Sequence, residues 1–121
     1  MVKIPQHGAN EELYDMNTFK GDIERFYSID EWIIQVEWCL GENAQHIESI
    51  SVEPTRIPAL EFWPLYSGIH QTVDGCFSGH VSGTEQCTLE AIDSSFWKVS
   101  GSPEFEQHMQ AVYGRYVPPS A

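Results

Sequence analysis

The chain is poor in positive charge. Only 6 of its 121 residues are Lys or Arg, against 18 Asp and Glu, so the formal net charge is −12. Proteins that bind nucleic acids normally carry a basic face, because neutralising phosphates supplies most of the affinity. Anionic membrane surfaces attract the same residues. The composition therefore argues against nucleic-acid and membrane binding and favours a basic protein as the partner.

Cysteines and long apolar runs are also scarce. The three cysteines, an odd number without a C-x-x-C motif, argue against a disulfide framework and a paired-knuckle zinc site; they are Cys39, Cys76 and Cys87. No apolar run approaches the ~18 residues of a membrane helix, and the start MVKIPQHGANEEL lacks the apolar region of a signal peptide. We therefore expect a cytoplasmic protein with reduced thiols.

Motifs of the common enzyme classes are missing as well. The chain has no Walker-type loop, G-x-G-x-x-G, H-E-x-x-H or G-x-S-x-G motif. Its densest group of reactive side chains has a spacing that matches none of the usual zinc patterns; it comprises His70, Cys76, His80 and Cys87. The sequence therefore indicates no catalytic residue, no metal site and no cofactor, and we expect a protein that is not an enzyme.

The aromatic content indicates a folded domain. Hydrophobic residues make up 41% of the chain, which includes four Trp, five Tyr and six Phe. This is too apolar for a disordered acidic chain. Because no repeat or linker is visible, we predict one domain over residues 1–121, with 1–9 as a loose N-terminal arm.

The stretch SIDEWIIQVEWCLG, residues 28–41, predicts an amphipathic helix. Ser28 and Glu31 fit a capping box and Gly41 fits a C-cap. Apolar residues follow at helical spacing: Ile29, Trp32, Ile33, Val36, Cys39 and Leu40. On the opposite side of the helical wheel, Ile34 and Trp38 form a second apolar strip, bordered by Glu31, Gln35 and Glu37.

Other segments give shorter signals. Residues 10–20 predict a short helix that ends at Gly21, and residues 47–53 predict a strand. Residues 57–66 contain two prolines, which favour an extended edge segment over a helix. Apolar residues on both sides of SGTE, 82–85, predict a hairpin with Cys87 in the core, because matched apolar faces set the register.

The C-terminal part predicts a strand followed by a helix. Residues 96–100 read as a short strand, and Ser102 and Pro103 fit the cap and first position of a helix. Its inner stripe is predicted to be Phe105, His108, Met109 and Val112. The whole order predicts an α+β fold, with an antiparallel sheet of about four strands covered by two or three helices. A cone-shaped curved sheet around a pocket is the alternative.

Two functions remain open from the sequence. The first is a non-enzymatic acidic interaction module, such as an inhibitor, antitoxin or immunity protein, that binds a basic partner or a second copy of itself. Its predicted interface is Ile34 and Trp38 with Glu31 and Glu37. The second is a small-molecule-binding domain or small enzyme with an aromatic pocket, whose candidate residues are Phe62, Trp63, Tyr66, Asp74 and His80.

Overall fold

Strands and helices are interspersed along the chain. The computed structural model describes residues 1–114. The strands are β1 (Val2–Pro5), β2 (Glu31–Gly41), β3 (Thr55–Pro58), β4 (Ile69–Val81), β5 (Thr84–Ile92) and β6 (Phe96–Ser100). The α-helices are α1 (Met16–Phe26), α2 (Ala44–Ile50), α3 (Ala59–Tyr66) and α4 (Pro103–Tyr113).

All six strands join one open antiparallel sheet in the order β1-β6-β5-β4-β2-β3. This confirms the α+β class and the antiparallel sheet. Residues 1–114 hold more elements than the sequence predicted: six strands instead of about four, and four α-helices instead of two or three. None of the helices in residues 1–114 has the length and apolar character that a membrane span requires.

The prediction of a helix over residues 28–41 is wrong. The segment forms strand β2, in which Trp32, Ile34 and Val36 alternate with more exposed residues. Strand alternation therefore determines which side chains are buried, and Ile34 is only 1% exposed. Ile34 belongs to the core and is not available to a partner, which corrects its assignment to the interface.

A bulge in β2 reverses the alternation. Val36 pairs with Gly75 and Trp38 pairs with Asp74, so Glu37 is an extra residue between them. After the bulge, Cys39 is buried and Trp38 is exposed. This three-residue step from Val36 to Cys39 resembles helical spacing, which is one reason that the sequence pattern was misleading.

Three other predicted elements are wrong or displaced. The first helix starts at Met16, where Asp15 and Thr18 form a capping box, and it continues through Gly21. The segment predicted as a strand over 47–53 contains most of helix α2. Residues Ala59–Tyr66 form helix α3 despite Pro64. Pro64 lies on the exposed side of this helix.

The C-terminal half follows the sequence more closely. Strand β6 and helix α4 are confirmed, with Ser102 accepting a hydrogen bond from the Phe105 N–H. Phe105 and Met109 are buried, but Val112 is 49% exposed, so its assignment to the inner stripe is wrong. The N-terminal segment is not a loose arm throughout, because β1 pairs with β6 and Ile4 is fully buried.

The hairpin buries the side chains that the sequence predicted to be buried, but its turn and register differ from the expected ones. Its turn has only two residues, Ser82 and Gly83, both with positive φ. A register shift after Gly79 then brings Cys87 opposite Gly79 and Leu89 opposite Phe77. Cys87 is therefore a core residue, as the matching of apolar faces predicted.

The two faces of the sheet are unlike. We call the covered face the one against which the helices pack; its buried residues include Trp32, Ile34, Val36, Phe77, Leu89, Trp97 and Val99. Rings from α1 and α3 contact it, including Phe19 against Trp97 and Phe62 against Phe77. We call the opposite side the open face; it carries the alternate residues Glu31, Ile33, Gln35, Cys76, Ser78, His80, Thr88, Glu90, Ile92, Phe96 and Lys98.

Candidate functional site on the open face

Trp38 lies at the end of the open face, on the part of β2 that follows the bulge. Its side chain is 55% exposed, and Leu40, two residues further, is 45% exposed. Isolated exposed apolar residues are common on protein surfaces, but a large exposed indole beside a second apolar side chain is a frequent component of interfaces.

Helix α2 fixes the edge of β2 beside Trp38. The Val36 N–H donates to Ser51 Oγ at 3.0 Å, and the Cys39 N–H donates to the Glu48 carboxylate at 3.1 Å. The Gln35 side chain donates to the Val52 carbonyl at 3.0 Å. The bonds from Val36 and Cys39 satisfy backbone donors of β2 that β3 is too short to reach, so this part of the strand edge is paired without a further strand.

Carboxylates surround this part of the open face. Asp74 is the register partner of Trp38, and its Oδ1 accepts a hydrogen bond from the Asp93 N–H at 2.8 Å. A shallow depression beside it is lined by Gln35, Glu37, Asp74, Cys76 and Glu90. The basic side chain of Lys98 lies on β6, in register with Glu90 and two strands beyond Asp74. Trp38 is therefore an aromatic side chain with acidic neighbours.

The pKa of the Cys76 thiol is raised on the open face. Burial is the main cause that raises its pKa, and the carboxylates of Glu90 and Glu85 raise it further. On the covered face, burial raises the pKa values of Cys39 and Cys87 to about 12. All three thiols are thus protonated at neutral pH, which argues against a thiolate nucleophile.

The other end of the open face carries Glu31 and His80. These residues are register partners, and Glu31 makes an exposed ion pair with Arg56 at 2.8 Å. His80 is 9% exposed, and among residues 1–114 neither of its ring nitrogens finds a hydrogen-bond partner. Within residues 1–114, no group of three His, Cys, Asp or Glu side chains converges as metal ligands would.

The structure separates residues that the sequence grouped into a candidate interface and a candidate ligand pocket. Phe62 and Tyr66 are fully buried in the core, so they do not line an accessible pocket. Trp63 lies at a groove between α1 and α3, far in the fold from the open face. Asp74, predicted for a ligand pocket, instead neighbours Trp38. Sequence reasoning missed this because the adjacency depends on strand register.

Comparison of the chain with protein-family models, with curated proteins and with solved structures finds no match.

Proposed function

We propose that this chain is a non-enzymatic binding module that holds a basic protein segment against its open face around Trp38. The observation that carries the proposal is the 55% exposed indole in register with Asp74 and one residue from Glu37. Arg and Lys side chains stack on indole rings and pair with carboxylates. One basic side chain of a partner can therefore contact the ring and a carboxylate together.

The charge of the whole chain supports a basic partner. A net charge of −12 attracts positive proteins over distances of about a Debye length, ~8 Å at physiological salt. Such attraction accelerates association, whereas the central aromatic contact provides most of the affinity. An inhibitor, antitoxin or immunity protein directed against a basic target is one form that a module of this kind takes.

A second copy of the chain suits this surface less well. A two-fold contact through Trp38 places Glu37 and Asp74 of one protomer near the same residues of its partner. Like charges across an interface cost several kcal/mol unless they are compensated. Lys98 and Lys3 of the open face lie on β6 and β1, separated from β2 by intervening strands, and Arg56 on β3 already pairs with Glu31. We therefore favour a foreign partner over a homodimer.

A selection from a displayed library of short random peptides tests the proposal. We expect the peptides that bind the wild-type chain to be rich in Arg and Lys, with affinities that fall as salt rises from about 0.05 to 0.5 M. Trp38→Ala is expected to weaken them by about 30-fold, as for a central interface aromatic. Glu37→Gln is expected to weaken them by less than about fivefold, because Glu37 is exposed.

Leu60→Ala is the matched control, because Leu60 is an exposed apolar residue on α3, away from the open face. It is expected to leave peptide affinity unchanged. Selected peptides without basic enrichment, or equal binding by the Trp38→Ala chain, would contradict the proposed site. A dimer detected by light scattering that Trp38→Glu dissociates would replace the foreign partner with a second copy.

A further inference from the structure

A groove lies at the edge of β2 that β3 leaves uncovered. β3 pairs with β2 only as far as Ile34, and helix α2 lies beside the edge that follows. The groove between them has a volume of about 490 Å³, and its walls include Val36, Glu37, Glu48 and Val52. It therefore adjoins the open face at the part of β2 that carries Trp38.

Glu37 joins this groove to the open face. The bulge makes Glu37 an extra residue of β2, and its side chain is exposed. It lines both the groove beside α2 and the shallow depression beside Asp74. A chain segment that contacts Trp38 can therefore continue over the strand into the groove without leaving the protein surface.

The charges on the two sides of this part of β2 are negative. Within residues 1–114, the charged side chains that line the groove are Glu37 and Glu48. The Glu48 carboxylate accepts the hydrogen bond from the Cys39 N–H at 3.1 Å, which holds it beside the strand. Across β2, Asp74 is the register partner of Trp38. A basic segment thus finds complementary charge on both sides of the strand.

The opposite direction, across the open face toward β6, is less favourable for a basic segment. Glu90 of β5 lies beyond Asp74 and is in register with Lys98. Lys98 is in turn in register with Lys3, whose Nζ lies 4.9 Å from the centroid of the Phe96 ring. Repulsion by these two lysines directs a basic partner toward α2.

We infer that the partner's binding segment is an extended basic stretch that crosses β2 at the bulge, with one basic side chain at Trp38 and Asp74 and a second in the groove at Glu48. The inference rests on the proposed function and adds the path of the segment and the spacing of its charges. Val52 is 74% exposed at the groove and offers an apolar contact to the aliphatic part of the second side chain.

The distance across β2 determines the spacing of the two basic residues. Asp74 lies on the neighbouring strand, ~4.8 Å to one side, and the Glu48 carboxylate lies 3.1 Å from the Cys39 nitrogen on the other. The two contact points are therefore roughly 8 Å apart. Side chains on one face of an extended segment repeat every ~6.7 Å. This favours the pattern Arg-x-Arg over two adjacent arginines, which point to opposite faces.

Two peptides of identical composition test the inference. The first, acetyl-Gly-Ser-Arg-Ser-Arg-Ser-Gly-amide, has the favoured spacing, and the second, acetyl-Gly-Ser-Arg-Arg-Ser-Ser-Gly-amide, has adjacent arginines. Each is titrated into the ¹⁵N-labelled chain at about 0.05 M salt, where charge attraction is little screened. We expect the first peptide to bind at least about threefold more tightly, with NMR shift changes at the Trp38 indole and in the backbone of α2.

Val52→Lys tests the groove with little risk to the fold, because the side chain is exposed. It is expected to weaken binding of the first peptide about fivefold, since it places a positive charge in the groove. Val112→Lys makes the same change of net charge at an exposed position on α4. This matched control is expected to change the affinity less than about 1.5-fold, because the charge is distant and screened.

Glu48→Gln removes a charge but keeps an oxygen that can accept the Cys39 N–H. It is expected to weaken binding of the first peptide about threefold, the loss of one exposed charge pair. Glu104→Gln, at an exposed position on α4, is its control and is expected to have a smaller effect.

Three results would overturn the inference while the site at Trp38 stands. The first is binding that Trp38→Ala weakens but that Val52→Lys and Glu48→Gln change no more than their controls. The second is equal affinity of the two peptides, and the third is a set of shift changes that extends from Trp38 toward β6 instead of α2. Absence of saturable binding by either peptide also overturns the inference alone, because the library selection tests the proposed function separately.

Two further results have a different meaning. Peptide binding that Trp38→Ala leaves unchanged contradicts the proposed function, and the inference fails with it. A dimer detected by light scattering that Val52→Lys dissociates would show that a second copy occupies the groove, which overturns the inference as well.

Discussion

The covered and open faces of the sheet share their strands but differ in what their side chains do. On the covered face, aromatic rings contact one another in a continuous series that includes Trp32, Phe62, Tyr66, Phe77 and Trp97. On the open face, the side chains are mostly polar, and its large exposed apolar side chains include Trp38 and Leu40. The difference indicates that stability depends on one face, whereas the other is free to serve recognition.

The largest difference in the loss of unfolding free energy is expected between two neighbouring positions of β4. Phe77 is fully buried among Phe62, Tyr66 and Trp97. Phe77→Ala should lower the free energy of unfolding by about 4 kcal/mol, because it removes buried area and leaves a cavity. Ser78→Ala, the next residue on the open face, should change it by less than about 0.5 kcal/mol. Urea unfolding followed by circular dichroism measures both, and similar losses would contradict the division between the faces.

The path of β2 beyond its bulge also depends on backbone geometry at Gly41. Its φ is +141°, and a Cβ atom there would lie 2.2 Å from the Gly68 carbonyl oxygen. Gly41→Ala should therefore destabilise the protein by about 3 kcal/mol, from strain and a backbone clash together. Gly83→Ala is the matched control, with φ +80° but open space around it. Strain alone should cost about 1 kcal/mol there, and equal losses in thermal unfolding would refute the clash.

The reactivity of the cysteine thiols is expected to differ between the two faces. The pKa values of Cys39 and Cys87, about 12, leave about 10⁻⁴ of each thiol ionised near pH 8. Cys76 is only partly buried and lies on the open face. Iodoacetamide should therefore label Cys76 first, and the two core thiols at least about 100-fold more slowly.

The rate at Cys76 should rise as pH rises toward the pKa of its thiol, because the thiolate is the reactive form. Peptide mapping by mass spectrometry after timed labelling measures all three rates. Unfolding in guanidinium is the control, since it should make the three rates similar. Core thiols that react as fast as Cys76 in the native state would show that the covered face opens readily.

The smallest change in unfolding free energy is expected when a charge of the open face is removed. Lys98 lies in register with Glu90 on one side and with Lys3 on the other. The attraction and the repulsion oppose each other, so Lys98→Met should change the unfolding free energy by less than about 0.5 kcal/mol. Measurement at low and high salt checks this, and a larger loss that salt abolishes would show that the Glu90 pair dominates.

The sequence predicted the class of the fold better than its elements. A cap and an apolar stripe were confirmed together in α4, at Ser102 and Phe105. The same combination failed over residues 28–41, because the bulge in β2 gives the apolar residues of a strand a spacing that resembles a helix. Of the residues that the sequence predicted for an interface, Trp38 is exposed, whereas Ile34 is buried on the opposite face of the strand.

Composition determined that this chain is acidic with few bases, and local patterns predicted its α+β class. Tertiary structure decided which residues are neighbours. The register between β2 and β4 places Asp74 beside Trp38, and the packing of α1 against α3 brings Lys20 near Trp63. No local pattern contains these contacts, because each joins residues more than thirty positions apart, and only the balance of burial over the whole sheet selects one pairing.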